Sequence, residues 1–227
     1  MKTIIGLILA VVLIIQPAIG EAEIEGYEII SRNDKENITL YAKKMNGLFR
    51  DFKINFKGGL YSRPFWISEL NPAYAPQIIY EDINIDQKKE LIIILTKGYG
   101  TGVLWEEVYV FDILNNGGLN VNEVIVDNPL AIIHKNVKTK LTAKKAEVIV
   151  GDKECTVDIT SLEIKSKNLF DDIGFGSIID YEVSDNHLIV NVAGQISPAS
   201  FVGNILIVYE YRDKMYQART IEFQPCK

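Results

Sequence analysis

The chain has 227 residues, with 30 acidic against 24 basic side chains, a net charge of -6, two histidines and two cysteines. That acidic balance favours solubility and excludes nucleic acid, or an anionic wall polymer, as a partner held by charge alone. Two histidines leave few places for histidine-based or zinc chemistry, and one cysteine pair does not make the dense framework of a small stapled scaffold.

In chain order, residues 1–20, MKTIIGLILAVVLIIQPAIG, set Lys2 ahead of an apolar stretch from Ile4 to Ile15, and Pro17 ahead of small residues. This is the pattern of a secretory signal peptide, with cleavage expected after Gly20 or, as a rival, after Ala22. The run is shorter than the roughly 20 residues that a membrane-crossing helix needs. No later stretch is long enough either. An exported protein, extracellular or associated with the cell wall and without a stable membrane span after cleavage, is expected; an uncleaved anchor is the alternative. Lys2 is the one charged residue removed, which leaves the rest at -7.

After residue 36 the periodicity is that of strands. ITLYAKKM, LFRDFKINF, QIIYEDI, ELIIILT, EEVYVFDI, EVIV, AEVIV, CTVDIT, IIDYEV, HLIVNV, ILIVYEY and MYQARTIEF are short and rich in Ile, Val, Tyr and Phe. Tight turns at NNGG after Asp112, GDK at 151–153, SDNH at 184–187 and RDK at 212–214 predict antiparallel neighbours. Helical pieces are expected only at 21–33, 128–136 and 167–173. RPFWISELNPAYAP, with its three prolines, reads as an irregular loop, and the basic stretch 134–145 reads as a solvated face. The class is mainly β, with antiparallel sheets and few short helices. The best internal boundary falls near Asn128-Pro129, giving a signal segment 1–20, a β subdomain 21–130 and a second β subdomain 131–227.

EDINIDQKKELIIIL, residues 81–95, is the one segment that suggests a metal. Asp82, Asn84, Asp86 and Glu90 take positions 1, 3, 5 and 9 of a loop in which the carbonyl of Lys88 falls at 7. Three carboxylates, an amide and a carbonyl suit Ca²⁺, a hard cation that takes six to eight oxygens. An EF-hand is excluded, because position 12 is Ile93 and no flanking helices are indicated. The other reading is a strand, with Asp82, Asn84 and Asp86 along its wet face and Ile83 and Ile85 on the other.

DINIDQKKELIII resembles a degenerate calcium loop of the FG-GAP and VCBS-type repeats, in which D-x-D-x-D-G-x-x-D/E-L joins two strands of a propeller blade. The match spans about residues 76–126 and is similar to what secreted proteins of Gram-positive spore-forming bacteria carry as a single loop. Gln87 stands where the repeat has glycine, and no second copy occurs. A propeller needs several blades; the resemblance therefore implies one blade-like four-stranded sheet embedded in another β fold. It also implies adhesion or scaffolding in place of catalysis.

The remaining candidates are weaker. KGYGTGV, 97–103, fits neither dinucleotide nor phosphate-loop spacing and reads as a turn or bulge between strands. His134 and His187 read as surface residues. Glu106-Glu107 and Asp171-Asp172 are sequence neighbours, which on a strand point to opposite faces. Tyr61, Phe65, Trp66, Tyr74, Tyr80, Tyr99 and Trp105 suit sheet packing, or a surface on which sugar rings stack. Cys155 and Cys226 form a disulfide only if the fold brings their Cα atoms together. The expectation is a secreted, non-enzymatic β protein with a structural calcium site that binds or scaffolds an unidentified extracellular or envelope component. The alternative is an envelope hydrolase, directed at glycans, that uses acidic residues.

Overall fold

The computed structural model describes residues 24–115 and 119–226. The expected signal segment lies outside them, as does most of the NNGG turn. The class is mainly β, as the periodicity predicts. Strands β1 (Glu28–Asn33), β2 (Ile38–Met45), β3 (Leu48–Phe56) and β4 (Gly59–Ser68) form an antiparallel sheet in that order. Strands β5 (Gln77–Glu81), β6 (Glu90–Gly100), β7 (Val103–Asn115) and β8 (Leu119–Val126) follow as a meander. Helix α1 (Pro129–Asn136) leads into β9 (Val137–Leu141), β10 (Lys145–Val150) and β11 (Lys153–Asp158), a three-stranded sheet. Then come β12 (Gly174–Ser184), β13 (His187–Ser197), β14 (Ser200–Arg212) and β15 (Met215–Pro225).

The meander that resembles a blade is not a separate sheet. It is half of an eight-stranded one, ordered β12-β13-β14-β15-β8-β7-β6-β5, which takes four strands from before residue 130 and four from after it. Short parallel pairings of β8 with β15 and of β7 with β12 close β7, β8, β15, β14, β13 and β12 into a ring.

The continuous apolar run of β6 follows from burial on both faces. Leu91, Ile93 and Leu95 pack with Phe52, Phe56 and Trp66 of the first sheet, whereas Ile92 and Ile94 join a larger core with Val110, Val190 and Tyr216. Each such side chain contributes about 1.5–3 kcal/mol by leaving water. β6 is thus the partition between two cores.

Four further expectations are corrected. Residues 28–33 are strand, not helix, because β2 offers them an antiparallel edge. Residues 167–173 make only a 3₁₀ turn at Ser166–Asn168; the Phe170 amide donates to the carbonyl of Ile196 on β13, outside any helix. RPFWIS belongs to β4 despite Pro64, because β4 is an edge strand and a bulge opposite Asp51 (φ 52°) takes up the proline. The basic connection is only partly solvent: Val137–Leu141 is a strand whose Lys138 and Lys140 face water. α1 forms where expected, with Asn128 Oδ1 accepting from the Ala131 amide and Pro129 at its first turn.

Candidate functional site

Residues 82–89 leave the sheet, so the strand reading of this segment gives way to a loop between β5 and β6. Aspartate and asparagine side chains compete for backbone amides, and here they wind the turn. Asp82 Oδ1 and Asn84 Oδ1 both accept from the Asp86 amide, at 3.2 and 2.9 Å. Asp82 Oδ2 accepts from the Gln87 amide at 2.9 Å, and Asp86 Oδ1 from the Lys88 amide at 2.8 Å. Gln87 has φ 71° and Ile85 φ 62°, left-handed backbone that glycine adopts most readily. Loop and ring are joined by Asn186 Nδ2, in the β12–β13 turn, which donates to the Asp82 carbonyl at 2.9 Å.

Glu90 closes the loop from below. Its Oε2 accepts from the Ile83 amide at 2.9 Å and its Oε1 from Asn84 Nδ2 at 3.1 Å, and the residue is only 2% exposed. Burial, reinforced by the carboxylates of Asp86, Asp112 and Asp82, pushes its carboxyl up to about 7, against the pull of the Ile83 amide. Asp112 on β7 is raised as well, by burial and by Asp86, with Lys88 opposing. Asp112 Oδ1 is buried without a hydrogen-bond partner, and so is the hydroxyl of Tyr216, a residue with no exposed surface. Burial, then Glu90 and Asp112, hold that phenol above its ordinary range.

The predicted ligands are therefore brought together, each in a particular state. Asp82, Asn84 and Asp86 face the inside of one turn, Glu90 is drawn in beneath it, and Lys88 contributes its amide to Asp86. In chemistry the donor set fits a hard cation, and the unpartnered Asp112 oxygen fits the same need. Among the described residues, however, no three His, Cys, Asp or Glu side chains converge tightly enough as they stand to hold an ion. Asp112, Tyr216 and Asn186 were not legible as neighbours of the loop, since they lie on other strands and turns.

The other candidates separate by surroundings. Glu106 is buried and pushed up to about 7, chiefly by burial; its Oε2 accepts from the Tyr181 amide at 2.8 Å. It lines a cavity of about 340 Å³ with Trp105 and Leu130, but its neighbour Glu107 meets Lys97 and accepts from Tyr109. KGYGTGV makes both a bulge, between Thr96 and Gly98, and the turn that pairs Gly100 with Val103. His134 is exposed; His187 is half-buried, its Nε2 3.0 Å from Arg219. The aromatic residues divide. Trp66 belongs to the core cluster against which Tyr61 and Tyr80 pack, whereas Phe65 is 91% exposed, Trp105 50%, and Tyr74 stacks on Tyr99 at 4.2 Å near the surface. Two adjoining cavities of about 460 and 640 Å³ run beside α1 and β15, bordered by Lys135, Lys138, Arg212 and Arg219. Cys155 and Cys226 are free thiols. Among the described residues no helix is long and apolar enough to cross a membrane.

No protein-family model matches the chain, and no curated protein and no solved structure matches it either.

Proposed function

We propose that this is an exported, non-enzymatic β protein that binds or scaffolds a component of the extracellular or envelope space, and that its 82–90 loop takes up a structural calcium ion. One observation carries the reading: Asp82, Asn84, Asp86 and Glu90, adjacent only as a sequence pattern, are folded into a single turn whose carboxylates oppose one another with little counter-charge. A divalent cation supplies that counter-charge. Export is supported by the composition of residues 1–20, and a binding role by the exposed rings of Phe65, Tyr99 and Trp105. A hydrolase has one observation in its favour, the buried Glu106 beside a cavity. Among the described residues that cavity offers it only Glu107 as a second acid, its neighbour along the chain, already engaged by Lys97 and Tyr109.

Thermal unfolding of the chelated protein, with and without millimolar calcium, tests the metal. Calcium is expected to raise the Tm of the wild type by several degrees and to leave Asp86→Ala unmoved. A wild type that does not respond refutes the calcium reading and leaves the loop as a hydrogen-bonded turn.

A further inference from the structure

Antiparallel register carries a consequence for the loop beyond its own residues. β6 pairs Leu91 with Phe111, and one step further along the same register sets Glu90 beside Asp112. Glu81 faces Glu90 from β5 on the other side. Three carboxylates thus stand in a row across three strands, on the side of the sheet where Ile92 and Val110 enter the larger core. Like charges directly opposite one another repel, and a buried carboxylate oxygen without a donor is costly. Asp112 Oδ1 is such an oxygen. A second orphan belongs to another strand: the hydroxyl of the fully buried Tyr216, on which the charges of Glu90 and Asp112 act. Lys88 is the cation that acts on Asp112, and it extends from an exposed loop position.

We infer that Asp112 is a further ligand of the cation that the proposed function places in the 82–90 loop, so that the ion ties β6 to β7 instead of closing the loop alone. This rests on the calcium reading and extends it to a residue 22 positions beyond Glu90 in the chain. With an ion between them, Asp112 and Glu90 become joint ligands in place of opposed like charges. The Tyr216 hydroxyl gains a role as donor to one of these carboxylates or to an ion-bound water. The clamp then spans the β5–β6 loop, β6 and β7, with β15 behind it.

The test is calcium titration of the purified protein by calorimetry, with thermal unfolding of wild type, Asp86→Ala and Asp112→Asn in chelator and in calcium. Asp112→Asn is expected to unfold at a higher temperature than wild type in chelator, because a repulsion is removed, and to bind calcium at least tenfold more weakly. A purely structural role for Asp112 does not predict those opposite signs. If wild type and Asp112→Asn bind calcium equally while Asp86→Ala does not, the inference fails and the loop site stands. If wild type does not bind, both fail. Terbium in place of calcium gives an independent readout should Asp112→Asn not fold: tyrosine-sensitised emission, displaced by calcium, is expected to fall in Tyr216→Phe. Emission equal to wild type places the ion away from Tyr216 and overturns the inference.

Discussion

Glu90 has to satisfy two opposed demands, closing a loop through the Ile83 amide while sitting in a core beside three other carboxylates. Its proton is held more tightly in the folded protein, where the carboxyl titrates at about 7, than in the unfolded chain, at 4.5. The stability this contributes is fully present below the unfolded value and is lost as pH rises through 7. Glu106, raised by its own burial, acts in the same direction and window. In chelator, stability is therefore expected to decline between about pH 5 and 8, and Glu90→Gln is expected to flatten part of that decline and gain about 2 kcal/mol at the alkaline end. Urea unfolding of both proteins across that range decides it; parallel curves would show that Glu90 ionises in the fold as it does in water.

At the scale of elements, turns and bulges position the strands. Asn46-Gly47, Asp185-Asn186 and Asp213-Lys214 take left-handed backbone at both central positions of two-residue hairpins, which matches the twist of the strands they join. Asp and Asn at these positions made two of the turns legible in the sequence. β4 was not legible, because an edge strand tolerates a proline that an inner strand rejects. Gly203 on β14 shows the opposite constraint: with φ 153°, a Cβ there would lie 2.3 Å from the Gln224 carbonyl of β15. Gly203→Ala is expected to destabilise the protein by more than about 2 kcal/mol, by forcing β14 from β15. A denaturant midpoint within error of wild type would mean that the two strands can separate at that point at little cost.

For the whole molecule, β6 is the decisive element, since it serves both cores at once. A domain in which one strand belongs to two cores should not lose either core alone. Ile93→Ala, facing the first sheet, and Ile94→Ala, facing the ring, are each expected to cost about 2–5 kcal/mol and to shift one shared unfolding transition. Circular dichroism and tyrosine fluorescence should then report the same midpoint in each variant. Separate midpoints would show that the first sheet melts independently of the ring.

The sequence by itself determined the class, because alternation and turn chemistry are local: the strands from ITLYAKKM to MYQARTIEF other than β4 and β9, α1, and the hairpins at GDK, SDNH and RDK were readable from neighbours in the chain. It also marked Asp82 to Glu90 as an acidic unit, open between a cation loop and the wet face of a strand. The tertiary structure decided what that unit faces. Counted back from the turn that pairs Gly100 with Val103, Glu90 would stand opposite Ile113; the bulge between Thr96 and Gly98 moves the register by one residue, and Glu90 meets Asp112 instead. A one-residue shift exchanges the two faces of a strand. Tyr216 and Asn186 arrive there only through closure of the ring and the β12–β13 turn, contacts between residues about 100 or more positions apart in the chain. No local pattern encodes such neighbours, because they are selected by the packing of whole strands.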